Sequence, residues 1–458
     1  MYQIDFQKPL PVHFIGIGGI SMSGLAEVLL SEGFKVSGSD RKPSALTDRL
    51  KASGAEIFIG QTKDNILPDT EVVVYTAAIH SDNPELVEAR KRGLHLLTRA
   101  ELLGQMMANY RCPIAVSGTH GKTTATSMLT HVLLQADLDP TISVGGILKA
   151  IGGNIRVGKS DFFVTEACEY TNSFLNFKPQ ISLILNIEAD HLDFFKDLAD
   201  IRCSFKKFAA LTRKDGTVII NSDIDDCKEI TEGLSQNVIT FGTQKKADFE
   251  GRNITFNAEG HVAFDLFKNQ AFVSHIALSV PGLHNVSNAL AVIAAAHVID
   301  VPLDAIKKGL FSFQGTDRRF ELKGIRNGFT VIDDYAHHPT EIAASLDAAS
   351  HYPHNDLYVI FQPHTFSRTQ MLFDDFVRVL KDVPHVIIPD IYAAREKDTL
   401  GMSGEKLALA LQASGCNARY FSSFSAIEDY ILSHAREKDL VMTMGAGNVV
   451  DIGEDLVK

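Results

Sequence analysis

Ile114-Ala115-Val116-Ser117-Gly118-Thr119-His120-Gly121-Lys122-Thr123-Thr124 is the stretch that decides the reading of this chain. A short apolar strand runs into glycines, and Thr124 to Gln135 then reads as a helix. Such a turn aims backbone N–H groups and the positive end of a helix dipole at phosphate oxygens. Lys122 stands where it reaches the terminal phosphates of a nucleotide triphosphate, and Thr123 where a hydroxyl ligates Mg²⁺. The spacing Gly-x-x-Gly-Lys-Thr is shorter than the usual loop, which has four residues between its glycines.

Upstream lies a second loop of a different kind. Val12-His13-Phe14-Ile15 reads as a strand, Gly16-Ile17-Gly18-Gly19-Ile20-Ser21 as a tight turn, and Ser21 to Ser31 as a helix. Lys35-Val36-Ser37 begins a second strand that ends at Asp40, where a carboxylate commonly meets a ribose hydroxyl. Gly19 adds a glycine to the pattern, and Ser21 replaces its third one. The turn predicts a diphosphate-bearing ligand without specifying a nicotinamide. Two nucleotide loops in one chain point to ATP-driven chemistry on a nucleotide-linked substrate.

Downstream, Glu166 follows the strand Phe162-Phe163-Val164-Thr165 and is preferred over Glu169 as an Mg²⁺ carboxylate. Asn186-Ile187-Glu188-Ala189-Asp190-His191-Leu192-Asp193 follows another buried strand and predicts a second metal or phosphate site at His191. Cys168 has no base placed for it and reads as a packed residue. From Asn237 to Val280 the pattern turns to antiparallel hairpins, and a helix from Asn285 to Val298 follows. Asn285 and Asn288 share one face of it, to read a nucleobase edge or to bridge helices. Arg318-Arg319 either turns charge toward a transferring phosphate or is a solvated turn.

The last third places Asp333-Asp334-Tyr335-Ala336-His337-His338-Pro339, then His364 and Arg368, then Tyr392 to Glu396, after three strands taken as neighbours. Gly445-Ala446-Gly447-Asn448 after a fourth strand reads as a plain turn. The whole is α/β in three domains: residues 1–108 Rossmann-like, 109–318 a phosphate-loop ATPase with an added antiparallel sheet, and 319–458 Rossmann-like again.

With 458 residues, 45% of them hydrophobic, the chain can fill three cores. Its net charge of −12 argues against nucleic acid and anionic membranes. Five scattered cysteines form no Cys-x-x-Cys pair, and no apolar run is long enough to span a bilayer. The expectation is a cytoplasmic protein, monomeric or weakly dimeric.

In wording and order these motifs resemble the Mur ligase family over nearly the whole chain. The most specific are Gly118 to Thr124, Glu166-Ala167-Cys168-Glu169-Tyr170, Asp190-His191-Leu192-Asp193, His284-Asn285-Val286-Ser287-Asn288, Gly315-Thr316-Asp317-Arg318-Arg319-Phe320, Asp333 to Pro339 and Phe361-Gln362-Pro363-His364. The resemblance, closest to the alanine-adding branch, implies ATP-dependent joining of L-alanine to the lactyl carboxylate of UDP-N-acetylmuramate through an acyl phosphate, in peptidoglycan synthesis. It implies that Gly118, Thr119, His120, Gly121, Lys122, Thr123 and Thr124 hold ATP, with Asn285 and Asn288 at the adenine and Arg319 and Asp334 closing on it. Thr123, Glu166 and His191 would hold Mg²⁺. Gly16, Gly18, Gly19 and Asp40 would hold the uridine diphosphate. Tyr335, His337, His364 and Arg368 would line the amino-acid site, with His337 or Asp334 as the base. Relatives that bridge metals through a carbamylated lysine have it where this chain has Phe205, so no carbamate is expected. The rival readings are a ligase that recycles a murein tripeptide and, from the first loop alone, a nicotinamide-dependent oxidoreductase.

Overall fold

The computed structural model describes residues 2–76 and 78–458. Three sheets organise the chain. The first contains β1 (Val12–Ile15), β2 (Val36–Asp40), β3 (Glu56–Ile59), β4 (Val72–Tyr75) and β5 (His95–Thr98). Its order, β3-β2-β1-β4-β5, is parallel throughout. All four residues of β1 are buried, as expected where helices cover both faces of a parallel sheet; three are apolar, and the fourth, His13, has its Nδ1 2.9 Å from Ser37 Oγ. Gly16 therefore leaves the carboxyl end of the middle strand, where α/β sheets bind ligands.

The second sheet contains β6 (Cys112–Ser117), β7 (Thr141–Leu148), β8 (Gly153–Arg156), β9 (Phe162–Ala167), β10 (Ile181–Ile184), β11 (Thr217–Asn221), β12 (Asn237–Gly242), β13 (Phe249–Phe256), β14 (His261–Lys268) and β15 (Ala271–Pro281). The order is β15-β14-β13-β12-β11-β10-β6-β9-β7-β8. In register, Ser117 faces Ala167 on one side and Ile184 on the other. The three strand ends are thus level, and the segments leaving them share one rim.

Two details differ from the sequence expectation. β12 pairs parallel with β11, so the hairpins start only beyond it. They also continue the central sheet rather than form another. The β14–β15 turn is Asn269-Gln270, both at positive φ (48° and 71°), the backbone twist that two-residue hairpins need. The second detail is Glu166, which lies within β9 rather than after it.

The third sheet contains β16 (Glu321–Arg326), β17 (Phe329–Asp334), β18 (Leu357–Phe361), β19 (His385–Ile388), β20 (Ala418–Tyr420) and β21 (Leu440–Met444). Its order is β16-β17-β21-β18-β19-β20, with β16 antiparallel at the edge. The last strand in sequence thus fills the gap between β17 and β18. This corrects the expectation that Asp334 and Gln362 follow adjacent strands.

By packing, the chain divides into two compact units: Met1–Arg252 with Asp265–Ser274 and Ser287–Ser312, and Phe313–Lys458 with Asn253–Phe264 and His275–Val286. Within the first, the helix Lys122–Gln135 lies against the helix Leu303–Ser312. A Cβ on Gly309 would fall 2.5 Å from Val132 Cα, so glycine is what lets the two backbones approach. No helix among the described residues is long and apolar enough to cross a membrane.

Candidate active site

The first glycine loop is held by its own neighbours. Gly16 sits at φ +84°, a conformation that costs glycine little, and its N–H, with that of Ile17, donates to Ser39 O. Gly18 N–H donates to Asp40 Oδ2 at 2.8 Å, while Asp40 Oδ1 accepts from Arg41 N–H at 2.7 Å. A Cβ on Gly18 would lie 2.8 Å from the same carboxylate oxygen. Asp40 thus acts first as the latch of the loop. Gly19 caps the following helix, Ile20–Ser31, and Ser21 Oγ in its first turn accepts from Arg99. No motif marked Arg99 in the sequence.

The second loop is clamped across the level strand ends. Thr119 N–H donates to Asn186 O, His120 N–H to Asn186 Oδ1 at 2.7 Å, and Asn186 Nδ2 returns a bond to His120 O at 3.1 Å. His120 Nε2 lies 3.4 Å from Glu188 Oε2. Gly118 (φ +144°) and Gly121 (φ +81°) take the turn, and the buried Asn288 amide lies beside Gly121. Thr124 and Thr123 fall in the first turn of the helix Lys122–Gln135. The Lys122 ammonium curls back to Gly118 O (2.5 Å) and Thr119 O (3.0 Å), and pairs with Glu169 at 2.9 and 3.2 Å. Burial opposes its charge, but the buried Glu169, together with Cys168 and Glu166, outweighs that and holds the ammonium above the usual lysine range. Sequence reasoning set Glu169 aside. Its place is under the lysine.

Glu166 Oε1 accepts from Gly145 N–H at 2.5 Å. A Cβ on Gly145 would fall 2.9 Å from Glu166 Oε2, and one on Gly146 would fall 3.2 Å from Thr123 Cγ2. The Gly145-Gly146 pair thus leaves a bare cradle beside a carboxylate and a threonine. His191, at φ +53°, packs at a tilt of 34° against the Tyr170 ring and sets Nε2 3.8 Å from both Glu169 and Asp190. Burial, then the Glu169 charge, push the Cys168 thiol up, as expected of a packed cysteine. Phe205 is fully buried and packs edge-on against Phe174.

In the second unit, Asp334 accepts from Ala336 N–H (2.8 Å) at one oxygen and Phe320 N–H (2.9 Å) at the other. Burial raises it to about 6 against the pull of Arg319. Arg319 lies 3.9 Å from Glu341, and both Arg318 and Arg319 lie over the Tyr335 ring. Burial, then Arg319, bring the nearby His284 down to about 4. Asn285 Nδ2 donates to Pro281 O at 2.7 Å. His337 Nδ1 lies 3.0 Å from Tyr335 O and 3.1 Å from Glu341 Oε2, two acceptors that place the ring proton on Nδ1 and leave Nε2 as the acceptor nitrogen.

His364 is brought down to about 4 by burial, then by His337 and Arg368. Being neutral, it accepts from Arg368 Nη1 at 3.4 Å and stacks on Tyr392. Glu396 takes Ser367 N–H (3.0 Å) and hydroxyl (2.5 Å), pinning the turn that carries Arg368. Gly445-Ala446-Gly447-Asn448 is more than a plain turn. Arg318 donates to Gly445 O at 2.6 Å, Gln362 to Asn448 Oδ1 at 3.1 Å, and a Cβ on Gly447 would strike Tyr392. It was missed because only the strand order reveals that β21 is central.

Models of three domains match the chain: "Mur ligase family, catalytic domain" over residues 11–111, "Mur ligase middle domain" over 116–296, and "Mur ligase, glutamate ligase domain" over 318–447. The chain is 55% identical over 458 residues to the UDP-N-acetylmuramate–L-alanine ligase of Agathobacter rectalis, covering 100% of both. It is 52% identical to the enzyme of that name from Clostridium acetobutylicum, covering 97% of this chain and 96% of the relative. Among solved structures, a UDP-N-acetylmuramate–alanine ligase from Thermotoga maritima matches with a TM-score of 0.79 at 29% identity, over 98% of both chains. A murein peptide ligase from Psychrobacter arcticus gives 0.68 at 25%, again over 98% of both. With a phosphate loop, a buried lysine–glutamate pair and a three-sheet α/β frame already in view, these matches mean that the chain belongs to the Mur ligase family.

Proposed function

We propose that the chain joins L-alanine to the lactyl carboxylate of UDP-N-acetylmuramate at the expense of ATP, through an acyl phosphate, as an early step of peptidoglycan synthesis in the cytoplasm. The observation that carries this reading is full-length identity of 55% to a ligase of that name, with Lys122 and its loop intact. The reading assigns residues 1–108 to the UDP-sugar, 109–318 to ATP and 319–458 to the amino acid.

A carboxylate is a poor acylating agent because oxide is a bad leaving group. Phosphorylation replaces one hard step by two easier ones. The loop amides and Lys122 hold the γ-phosphoryl group and offset its charge, and Arg319 adds a second cation. Thr123, Glu166 and His191 suit Mg²⁺: they offer oxygen and imidazole donors, and the bare Gly145-Gly146 cradle leaves room beside two of them. Mg²⁺ held there would neutralise phosphate charge. Asn285 and Asn288 serve the adenine end. Tyr335, His364 and Arg368 line the amino-acid pocket, where Arg368 pairs with the substrate carboxylate. His337 Nε2 is the base for the attacking amine. Asp334 fixes the Phe320 and Ala336 amides, and with them the turns carrying Arg319 and Tyr335.

Phosphate release from ATP with Mg²⁺, UDP-N-acetylmuramate and L-alanine, omitting one component at a time, tests the reading. Release that needs every component supports it. Release that needs the murein tripeptide instead of L-alanine moves the chain to the recycling reaction. Release without the sugar nucleotide sinks both.

A further inference from the structure

The Gly16–Gly19 loop has less to offer an anion than its sequence suggests. The N–H groups of Gly16 and Ile17 are given to Ser39 O, that of Gly18 to Asp40, and that of Gly19 to Gly16 O. The Asp40 carboxylate adds a negative charge to the same turn. A diphosphate here meets the free amides of one helix start and an acid, so its charge has to be offset from elsewhere.

Arg99 brings the cation. Its Nη1 donates to Ser21 Oγ at 3.0 Å, over the first turn of the helix Ile20–Ser31. Arg99 opens the helix Arg99–Ala108 directly after β5, an unfavourable place for a cation because the helix dipole is positive there. The acid of that turn, Glu101, gives its carboxylate to Thr98 N–H (2.7 Å) and hydroxyl (2.8 Å) instead. Among the described residues no carboxylate pairs with Arg99, although the side chain is half-buried. A cation that sits against a dipole and lacks an acid is better explained by an anionic ligand than by the tie it makes to Ser21. A hydroxyl has two lone pairs and one proton, so Ser21 can accept from Arg99 and donate to the same ligand.

We propose that Arg99, held by Ser21, binds the diphosphate of the sugar nucleotide, and that serine stands at position 21 to anchor this arginine. The inference rests on the proposed reading that this domain takes the UDP-sugar. It is tested on the full chain by titrating UDP calorimetrically, and by measuring KM for all three substrates, in wild type, Arg99→Met, Arg99→Lys and Ser21→Gly.

Arg99→Met is expected to weaken UDP about 10- to 100-fold, the worth of a charged hydrogen-bond pair. The KM for UDP-N-acetylmuramate should rise in step, with KM for ATP and L-alanine unchanged. Weakening of UDP by added salt should become shallower in Arg99→Met and persist in Arg99→Lys, a difference a purely structural arginine would not produce. Ser21→Gly should lose a few-fold. Wild-type UDP affinity in Arg99→Met would overturn the assignment and leave the ligase reading intact, as would an equal rise in all three KM values. A wild-type chain that binds neither UDP nor UDP-N-acetylmuramate would overturn both.

Discussion

The two glycine loops use one backbone device and opposite electrostatics. Each leaves the carboxyl end of a central strand and starts a helix, with glycines at positive φ in the turn. In the second, the cation is built in: Lys122 is the first helical residue, charged and held by the buried Glu169. In the first, an acid, Asp40, latches the turn, and the cation over the helix start, Arg99, comes from a helix 78 residues away in sequence. A loop that handles a transferring phosphoryl group needs its charge fixed at the reacting atom. A loop that only holds a diphosphate can borrow it.

The largest effect expected from this contrast is Lys122→Ala. It should lower turnover about 10²-fold or more, the scale for losing a preorganised charge at a transition state. It also strands Glu169 without its ammonium in a buried place, which costs stability. Single-turnover acyl-phosphate formation, read beside a denaturant melt, separates the two. Near-normal turnover in a stable variant would break the comparison, because both loops would then be mere holders.

Gly121→Ala comes next. Its φ of +81° strains any side chain, and the new Cβ would fall 2.7 Å from the Asn288 amide oxygen. We expect about 1–3 kcal/mol lost in chemical unfolding, with a raised KM for ATP and an unaltered KM for the sugar nucleotide.

This second loop was legible from sequence because all its parts lie within a few residues: strand, glycines, lysine and helix. The parallel α/β plan was legible for the same reason, since buried strands are apolar on both faces. Long-range order was not. β21 reads locally as one more strand, and only pairing reveals that it separates β17 from β18 and carries Gly445 into the polar rim. Glu169 and Arg99 were missed likewise: the meaning of each lies in a partner, Lys122 or Ser21, 47 or 78 residues away.

The second unit offers a pH test. Asp334 rises from an ordinary 3.8 to about 6 through burial. The folded chain thus favours its protonated form, so its contribution to stability is fully present below about 3.8 and is lost as pH rises through 6. Activity should run the other way. If the carboxylate must accept from Phe320 and Ala336 to hold its turns, kcat/KM falls about tenfold per unit below pH 6. Asp334→Asn should be slower throughout and lose that acid limb. An unchanged limb would place the titration elsewhere.

The smallest effect returns to the first loop. Asp40 was read from sequence as a ribose partner, yet each of its oxygens already accepts a backbone N–H, from Gly18 and Arg41. Asp40→Asn keeps one acceptor and removes the charge, so the loss should be about 1 kcal/mol, roughly fivefold in KM for UDP-N-acetylmuramate. The sign of the second term is informative. Removing an acid near a diphosphate relieves repulsion, which offsets part of the lost bond to Gly18. A latch therefore predicts a small loss that shrinks at low ionic strength, where the relieved repulsion counts most. A direct ribose contact predicts a loss that ignores salt and vanishes with a 2′,3′-dideoxy sugar nucleotide. The two trends run apart whatever the size of the loss, so the salt series decides what the carboxylate does.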